Sequence, residues 1–437
     1  MTRFASHHAD AEIGCGAGRS LVLKSTAPSD RPGAGKPMTR PRVAVVGAGP
    51  AGSTAARLLA ERGADVTLIE ARRLPRPKLC GGGLTPKSQR LVPAAALAAV
   101  ERRVHRVEIR GPHLRPFGLD APDATIAMVD RSRFDLALAE LAAAAGADIL
   151  DGTPVRDVVE IAEGVVVLTD SGRIAVDAAV IADGEPSTLS RRLGLGGRPR
   201  RLALALEAGL PFSPSVAEDT AVLSFGLRGG YGWYFPKGDH ASVGVGSHAV
   251  AEQWRLREEL ARLAAGLGLD VGAGRVRGHW IPMGLRAGRL ASDRVVLAGD
   301  AAAAADAMFG EGIPYALLSG MAAAQVVGDW AAGTVKSLSD HDPRLRRALA
   351  PALGRLGLIA VAAEASISTA LLAVRLSTGV RERAIDAIAG RAAPFVLDTH
   401  CDVACACDLH GSPPGAAAAL PRTGQYHCVR CTATCAA

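Results

Sequence analysis

Three separated stretches predict a mixed α/β (α+β) fold: a Rossmann-like unit interleaved with an antiparallel-sheet domain and followed by a helical C-terminal region. "RVAVVGAGPAG" (42–52) reads as a short buried strand running into closely spaced glycines. "AAVIADGEPS" (178–187) and "DRVVLAGDAA" (293–302) are two further short apolar runs, each ending in a glycine beside an aspartate. Strands of one parallel sheet this far apart leave the chain between them free to build a second domain.

The first element is a dinucleotide cradle. Val43 to Val46 suit a buried parallel strand, Gly47, Gly49 and Gly52 follow in G-x-G-x-x-G spacing, and an Ala/Leu-rich helix runs to about Arg62. Gly47 makes the turn, Gly49 admits a pyrophosphate to the backbone, and Gly52 lets the helix pack close, with Pro50 and Ala51 at its start. A second strand, Asp65 to Ile69, ends at Glu70, placed to accept hydrogen bonds from a ribose. Strand, glycines, helix, strand and acid in this order are far more specific than a glycine pattern alone.

The later stretches choose between nicotinamide and flavin. Asp183 and Asp300 stand at strand ends, and Gly299-Asp300 is placed to hold the ribityl chain of a flavin lying across the sheet. "GEGIPYALLSGMAAAQVV" (310–327) is a glycine-rich turn opening a long helix. Gly310, Gly312 and Ile313 would present helix N–H groups to the N1–C2=O edge of a flavin, where negative charge develops on reduction.

Two more stretches carry unusual chemistry. "RPKLCGGGL" (76–84) has three successive glycines after Cys80, suited to close approach of backbone to a flat ring. "YGWYFPKGDHASVGVG" (231–246) concentrates aromatics in a chain whose aromatic content is only 4%. The alternation of Tyr231, Trp233 and Phe235 puts three rings on one strand face, as core packing or as the wall of an apolar slot. Gly244 and Gly246 on a paired strand would leave room for a chain to pass.

Together these motifs resemble the glutathione-reductase-type FAD fold, in the branch shared by aromatic hydroxylases and geranylgeranyl reductases. The resemblance covers roughly residues 40 to 330, and it implies that Gly47–Gly52, the Asp183-Gly184 pair and the Gly299-Asp300 pair bind FAD. "DRSRFDLAL" (130–138) is similar to the branch's R-x-x-F-D pattern, which implies that Arg131 lies near the FAD phosphates. Pro77, Cys80 and Gly82 match the P-x-x-C-x-G loop of the geranylgeranyl reductase family, which runs beside the isoalloxazine and brings Cys80, Gly81 and Gly82 to it. Tyr231, Trp233, Phe235, Pro236, Gly244 and Gly246 match that family's Y-x-W-x-F-P…G-x-G in residue and spacing, and are the expected substrate-binding residues. Where the family carries an Asn-Pro pair and a Thr, this chain has Asp306, Ala307 and Phe309, so an extra carboxylate is expected to disfavour an anionic flavin or to alter the substrate.

The activity the resemblance implies is reduction of isoprenoid double bonds by hydride from reduced flavin. Tyr231, Trp233 and Cys80 are the candidate catalytic residues, with Tyr231 either the proton donor or a packing residue and no nucleophilic role assigned to Cys80. The substrate would be an isoprenoid lipid or a prenyl diphosphate. No second strand–GxGxxG–helix unit occurs, so NADPH or NADH would bind transiently as electron donor. A flavin monooxygenase or halogenase, and a membrane-docking electron-transfer flavoprotein, are the rival activities.

Bulk properties fit this frame. The 437 residues suffice for two or three domains, and 49% hydrophobic with 21% charged residues allow a sizeable core. The net charge of +7 is scattered arginine without a basic, aromatic-interleaved stripe, which argues against nucleic acid and fits an anionic substrate or membrane surface. "LGLIAVAAEASISTALLAV" (356–374) carries Glu364 at its centre and reads as a buried or amphipathic helix, or as membrane-surface contact. Residues 1–37 lack periodicity and an apolar signal segment, so they read as a disordered extension of a cytoplasmic protein, peripheral to the membrane at most, with Met38 a candidate start.

The expected organisation is an FAD-binding domain (about 40–90, 125–195 and 288–340) interleaved with a substrate domain (about 91–124 and 196–287). A helical region spans 341–393, and 394–437 is a cysteine-rich tail. Six of the eight cysteines fall in that tail beside His400, His410 and His427, but only Cys428 and Cys431 form a C-x-x-C pair. The tail therefore reads as disordered with incidental cysteines and no assigned metal, with zinc as the alternative.

Overall fold

The apolar run after Arg42 is a strand, Arg42–Val46, whose residues 43–46 are all buried, as a central parallel strand requires. The computed structural model describes residues 40–120, 125–349, 353 and 367–389; the N-terminal extension, the cysteine-rich tail and the first part of the Leu356–Val374 stretch lie outside them.

Five parallel strands form the first sheet, in the order Val295–Leu297, Ala178–Ile181, Arg42–Val46, Asp65–Ile69, Asp148–Leu150. The strands that lead to Gly47, Asp183 and Asp300 are thus neighbours, and their C-terminal ends meet at one edge, where open α/β sheets bind ligands. The strands' alternation feeds two cores. Val43, Val45, Val180 and Val296 pack with the helices Pro50–Glu61, Arg131–Ala144 and Ile313–Ala331. Ala44, Val46, Ile181 and Leu297 pack on a three-stranded antiparallel sheet spanning 155–176, through Val158, Val165 and Val167. The helices Pro50–Glu61 and Ile313–Ala331 approach so closely that a Cβ on Gly320 would stand 2.3 Å from the Ala51 carbonyl oxygen.

The second sheet has seven strands, in the order 277–286, 199–210, 241–247, 230–236, 220–224, 106–111, 114–120. It is antiparallel except where Thr220–Ser224 pairs with Arg106–Gly111. One face, carrying Ala208, Tyr234, Val243 and Val245, buries itself against the helix Leu256–Gly266. The opposite face carries Tyr231, Trp233 and Phe235 toward the loop at 79–82 and the turn at 309–313. A small sheet of Gly83–Leu84, Ile126–Val129 and Val100–Val104 packs on the second sheet, Val104 and Met128 meeting Ala221 and Phe235. The helix Ile367–Leu376 packs on the edge of the second sheet, where Leu371 fills the space left by Gly111. Among the described residues no helix is long and apolar enough to cross a membrane.

Candidate active site

The glycine turn is built for close contact. Gly47 has φ 105°, and a Cβ there would stand 2.2 Å from the Ala182 carbonyl oxygen. A Cβ on Gly52 would stand 1.9 Å from the Gly47 carbonyl oxygen, so the helix start sits directly on the turn. At Gly49 the space is open, with Arg76 Nη2 nearest at 3.7 Å. The helix that begins at Pro50 has neither a side-chain cap nor an acid in its first turn, and Ser53 Oγ is buried there without a partner. Free N–H groups, a positive dipole end and an unsatisfied hydroxyl suit a phosphate.

The same holds along the strand ends. Asp183 Oδ1 is buried without a partner, and burial pushes the carboxyl up to about 6 against the Ser187 hydroxyl and the Leu189 N–H. Asp300 is half-buried, with Oδ1 3.6 Å from where a Cβ on Gly312 would stand. The helix Ile313–Ala331 behind Gly312 is also uncapped and without a first-turn acid. The partnerless Ser53 and Asp183 oxygens, the Asp300 carboxylate and the uncapped helix start at Ile313 thus gather at the strand ends. An extended dinucleotide with an anionic centre and a hydroxylated chain fits them, and the residues present fit FAD.

An ion network sits beside this path. Glu70 accepts from the Ala48 N–H at 3.0 Å and pairs with Arg76 at 3.0 Å. Arg76 also reaches Asp135 at 3.0 Å, and Asp135 holds Arg131 through two bonds of 2.8 and 2.9 Å. Glu70 is therefore tied to its own loop as well as placed at the strand end. Arg131 is only 7% exposed, so it is no solvated helix start. Burial would lower its pKa, but Asp135 and Cys80 outweigh burial and hold the guanidinium above its ordinary value.

A cavity of about 220 Å³ opens between the second sheet, the small sheet, the loop at 79–82 and the turn at 309–313. Its walls include Cys80, Gly81 and Gly82 on one side, Gly310, Gly312 and Ile313 on another, and Tyr231, Trp233 and Phe235 opposite. Ring contacts tie this wall together: Tyr231 to Trp233 at 6.0 Å, and Trp233 stacked on Phe235 at 6.4 Å. The Phe235 ring also comes within 2.6 Å of where a Cβ on Gly81 would stand. Pro236, buried at the strand end, and the two later glycines do not line the cavity. Gly244 departs from the sequence reading: the space its missing side chain leaves is occupied by the Trp233 indole, not by a passage for substrate.

Tyr231 is tied to the turn that follows Asp306. Its hydroxyl donates a 2.7 Å hydrogen bond to the Phe309 carbonyl, and burial raises its pKa, with the Asp306 and Glu311 carboxylates adding to the effect. That proton is committed to the loop. Asp306 is fully buried and accepts from the N–H groups of Met308 (2.9 Å), Phe309 (2.7 Å) and Glu311 (2.7 Å). The extra carboxylate thus shapes the turn that leads into Gly310–Ile313 rather than facing the cavity.

Several polar residues of the site escaped the sequence reading. Glu311 pairs with Lys87 and accepts from Thr85 at 2.6 Å; burial raises its pKa against that pairing. Lys78 Nζ donates to His279 Nε2 at 2.6 Å and lies 3.9 Å from Asp300. Burial lowers Lys78, and burial with the Lys78 charge pushes His279 down to about 4. Glu207 lines the cavity on the strand beside Gly244. The one signal that marked Glu207 in the sequence is an acid inside the apolar run "LALALEAGL". Among the described residues no cluster of three His, Cys, Asp or Glu could hold a metal ion.

Residues 40–225 match the FAD binding domain family. The chain is 33% identical to menaquinone reductase of Mycolicibacterium smegmatis over 343 residues, 70% of this chain and 82% of that protein. It is 33% identical to the chloroplastic geranylgeranyl diphosphate reductase of Oryza sativa subsp. japonica over 354 residues, 76% of this chain and 74% of that protein. A solved structure of a geranylgeranyl bacteriochlorophyll reductase-like protein from Thermoplasma acidophilum matches with a TM-score of 0.66 and 26% identity, covering 80% of this chain and 91% of that one.

Proposed function

From its place in the geranylgeranyl reductase family of FAD-dependent oxidoreductases, to which the chain belongs, we propose that this enzyme saturates carbon–carbon double bonds of an isoprenoid chain. When bound and reduced, FAD supplies the hydride. The observation that carries this reading is the cavity itself, apolar and aromatic-walled, lying between the Cys80–Gly82 loop and the Gly310–Ile313 turn. A long apolar chain with isolated alkenes suits such a slot, and a small polar aromatic does not.

The residues take the following parts. Gly47, Gly49, Pro50, Ala51 and Gly52 receive the pyrophosphate, with Arg131 as a nearby fixed positive charge and Glu70 at the ribose. Asp183, Gly299 and Asp300 would hold the ribityl chain of FAD, and Gly310, Gly312 and Ile313 would meet the pyrimidine edge of its flavin. Cys80, Gly81 and Gly82, which line the cavity, would pass beside its ring. Tyr231, Trp233 and Phe235 exclude water and offer π faces to positive charge developing on the substrate. Tyr231 acts as wall and loop anchor, because its proton is donated to Phe309.

The substrate is an isoprenoid lipid, a polyprenyl quinone or a prenyl diphosphate. The electron donor is NADPH or NADH, bound transiently. The enzyme meets lipid substrates at the membrane face; Val250 and Trp254, 79% and 78% exposed, are apolar side chains available for that contact.

Anaerobic half-reactions test the proposal. Chemically reduced protein is mixed with a geranylgeranyl substrate without oxygen. Return of the oxidised-flavin band, with the lipid gaining mass in steps of two hydrogens, is the expected result. Flavin that stays reduced until air is admitted would move the assignment to a monooxygenase, halogenase or electron-transfer flavoprotein.

A further inference from the structure

The second sheet aligns four positions in one row. Trp233 pairs with Gly244, Gly244 with Glu207, and Glu207 with Arg277. Paired strands lie about 4.8 Å apart, and the indole reaches across Gly244, toward Glu207, so closely that a Cβ at 244 would be 2.2 Å from the ring. The strand's period of two explains why Glu207 faces the cavity. Ala205 and Glu207 line it, while Leu204, Leu206 and Ala208 pack toward the helix Leu256–Gly266.

Two carboxyl groups line the cavity, and their surroundings differ. Glu311 is paired with Lys87 and hydrogen-bonded to Thr85. Glu207 forms no ion pair among the described residues. Its carboxyl meets the Ser242 hydroxyl, which also accepts the Trp233 indole N–H at 3.0 Å. The charged groups around it are Lys237, His240 and Arg277. Lys237 is itself engaged with the Cys80 carbonyl oxygen at 3.2 Å. Burial outweighs all three and raises Glu207 above the ordinary carboxyl range.

We propose that Glu207 is the acid that protonates the substrate alkene, a role that rests on the isoprenoid-reductase reading. An unactivated alkene is a poor base, and a carboxylic acid held neutral in a water-poor site is a suitable donor for its proton. The step balances. The Glu207 O–H bond breaks, and the π electrons of the alkene form a C–H bond with that proton. The neighbouring carbon would then carry positive charge against the Trp233 face, and reduced FAD, when bound, would supply the hydride and electron pair that complete the saturation. The Glu207 carboxylate regains a proton from water before the next turnover.

Glu207→Gln and Glu207→Asp test this, since Gln keeps the shape and Asp keeps the acid. In infrared difference spectra of substrate-free, FAD-loaded protein at neutral pH, wild type is expected to show a protonated carboxyl stretch that Glu207→Gln lacks. In anaerobic mixing with a geranylgeranyl substrate, Glu207→Gln should slow flavin reoxidation by about 100-fold or more, with chemical reduction and FAD content unchanged. Glu207→Asp should recover part of the rate. Reoxidation of Glu207→Gln at the wild-type rate, or a carboxyl stretch unchanged by the substitution, would overturn the assignment and leave the reductase reading standing. A wild type that reduces no alkene would overturn both.

Discussion

The Trp233 indole occupies the volume that a side chain at Gly244 would need, its ring carbon 2.2 Å from the position of a Cβ there. The Leu206 carbonyl oxygen, at 2.8 Å, closes the other side. Gly246, two residues on, is different: a Cβ would meet nothing nearer than 3.5 Å. The two glycines of one motif therefore do different jobs, one seating an aromatic ring and the other leaving slack beside it.

Gly244→Ala should force the indole out of its seat and cost about 1–3 kcal/mol, with altered tryptophan fluorescence. Gly246→Ala should stay within about 1 kcal/mol of wild type. Thermal unfolding of both variants checks this; equal losses would mean that the ring's seat is not what Gly244 provides.

Tyr231→Phe keeps the ring and removes only the donor to the Phe309 carbonyl. The stranded carbonyl should cost about 1–3 kcal/mol while FAD stays bound and alkene reduction persists. A loss of turnover above 100-fold in a variant that keeps its FAD would restore Tyr231 as proton donor.

How much of this was legible depends on how far the determinants lie apart in the chain. The cradle at Gly47–Gly52 is a strand, a turn and a helix in succession, so its glycines announce their geometry locally. The face shared by Tyr231, Trp233 and Phe235 follows from a strand's period of two. The bond from Tyr231 to Phe309 joins residues 78 apart, and the row from Trp233 to Glu207 needs the pairing of three strands. No local pattern encodes either. The direction Asp306 faces is hidden for a related reason: a carboxylate near a flavin site suggests charge at the flavin, but burial turns it inward onto backbone N–H groups.

That inward turn makes Asp306→Asn informative. The carboxylate accepts at both oxygens, from Met308 and Phe309 on one and from Glu311 on the other. An amide has only one acceptor oxygen, so at least one backbone N–H of the turn loses its partner. The expected cost is about 1–2 kcal/mol, with weaker FAD retention because Gly310–Ile313 begins where this turn ends. Calorimetry with and without FAD separates the two effects; unchanged stability would mean that water or a shifted loop satisfies the freed group.

Asp183 carries a pH signature. Its carboxyl is pushed up to about 6 by burial, from an ordinary value of 3.8. Between about pH 4 and 6 the folded chain keeps a proton that the unfolded chain has released. Stability from this group is thus present below about pH 4 and lost as pH rises through 6. Above that pH the FAD-free protein holds an ionised Asp183 whose Oδ1 has no partner, a penalty on the order of 1–3 kcal/mol. Asp183→Asn removes the charge and should raise the melting temperature of FAD-free protein at pH 8 but not at pH 4. FAD should partly erase the difference in the other direction, because a ribityl hydroxyl donating to the carboxylate would stabilise wild type more than the amide. A melting-temperature gain equal at both pH values would show that Asp183 is not held protonated by its surroundings.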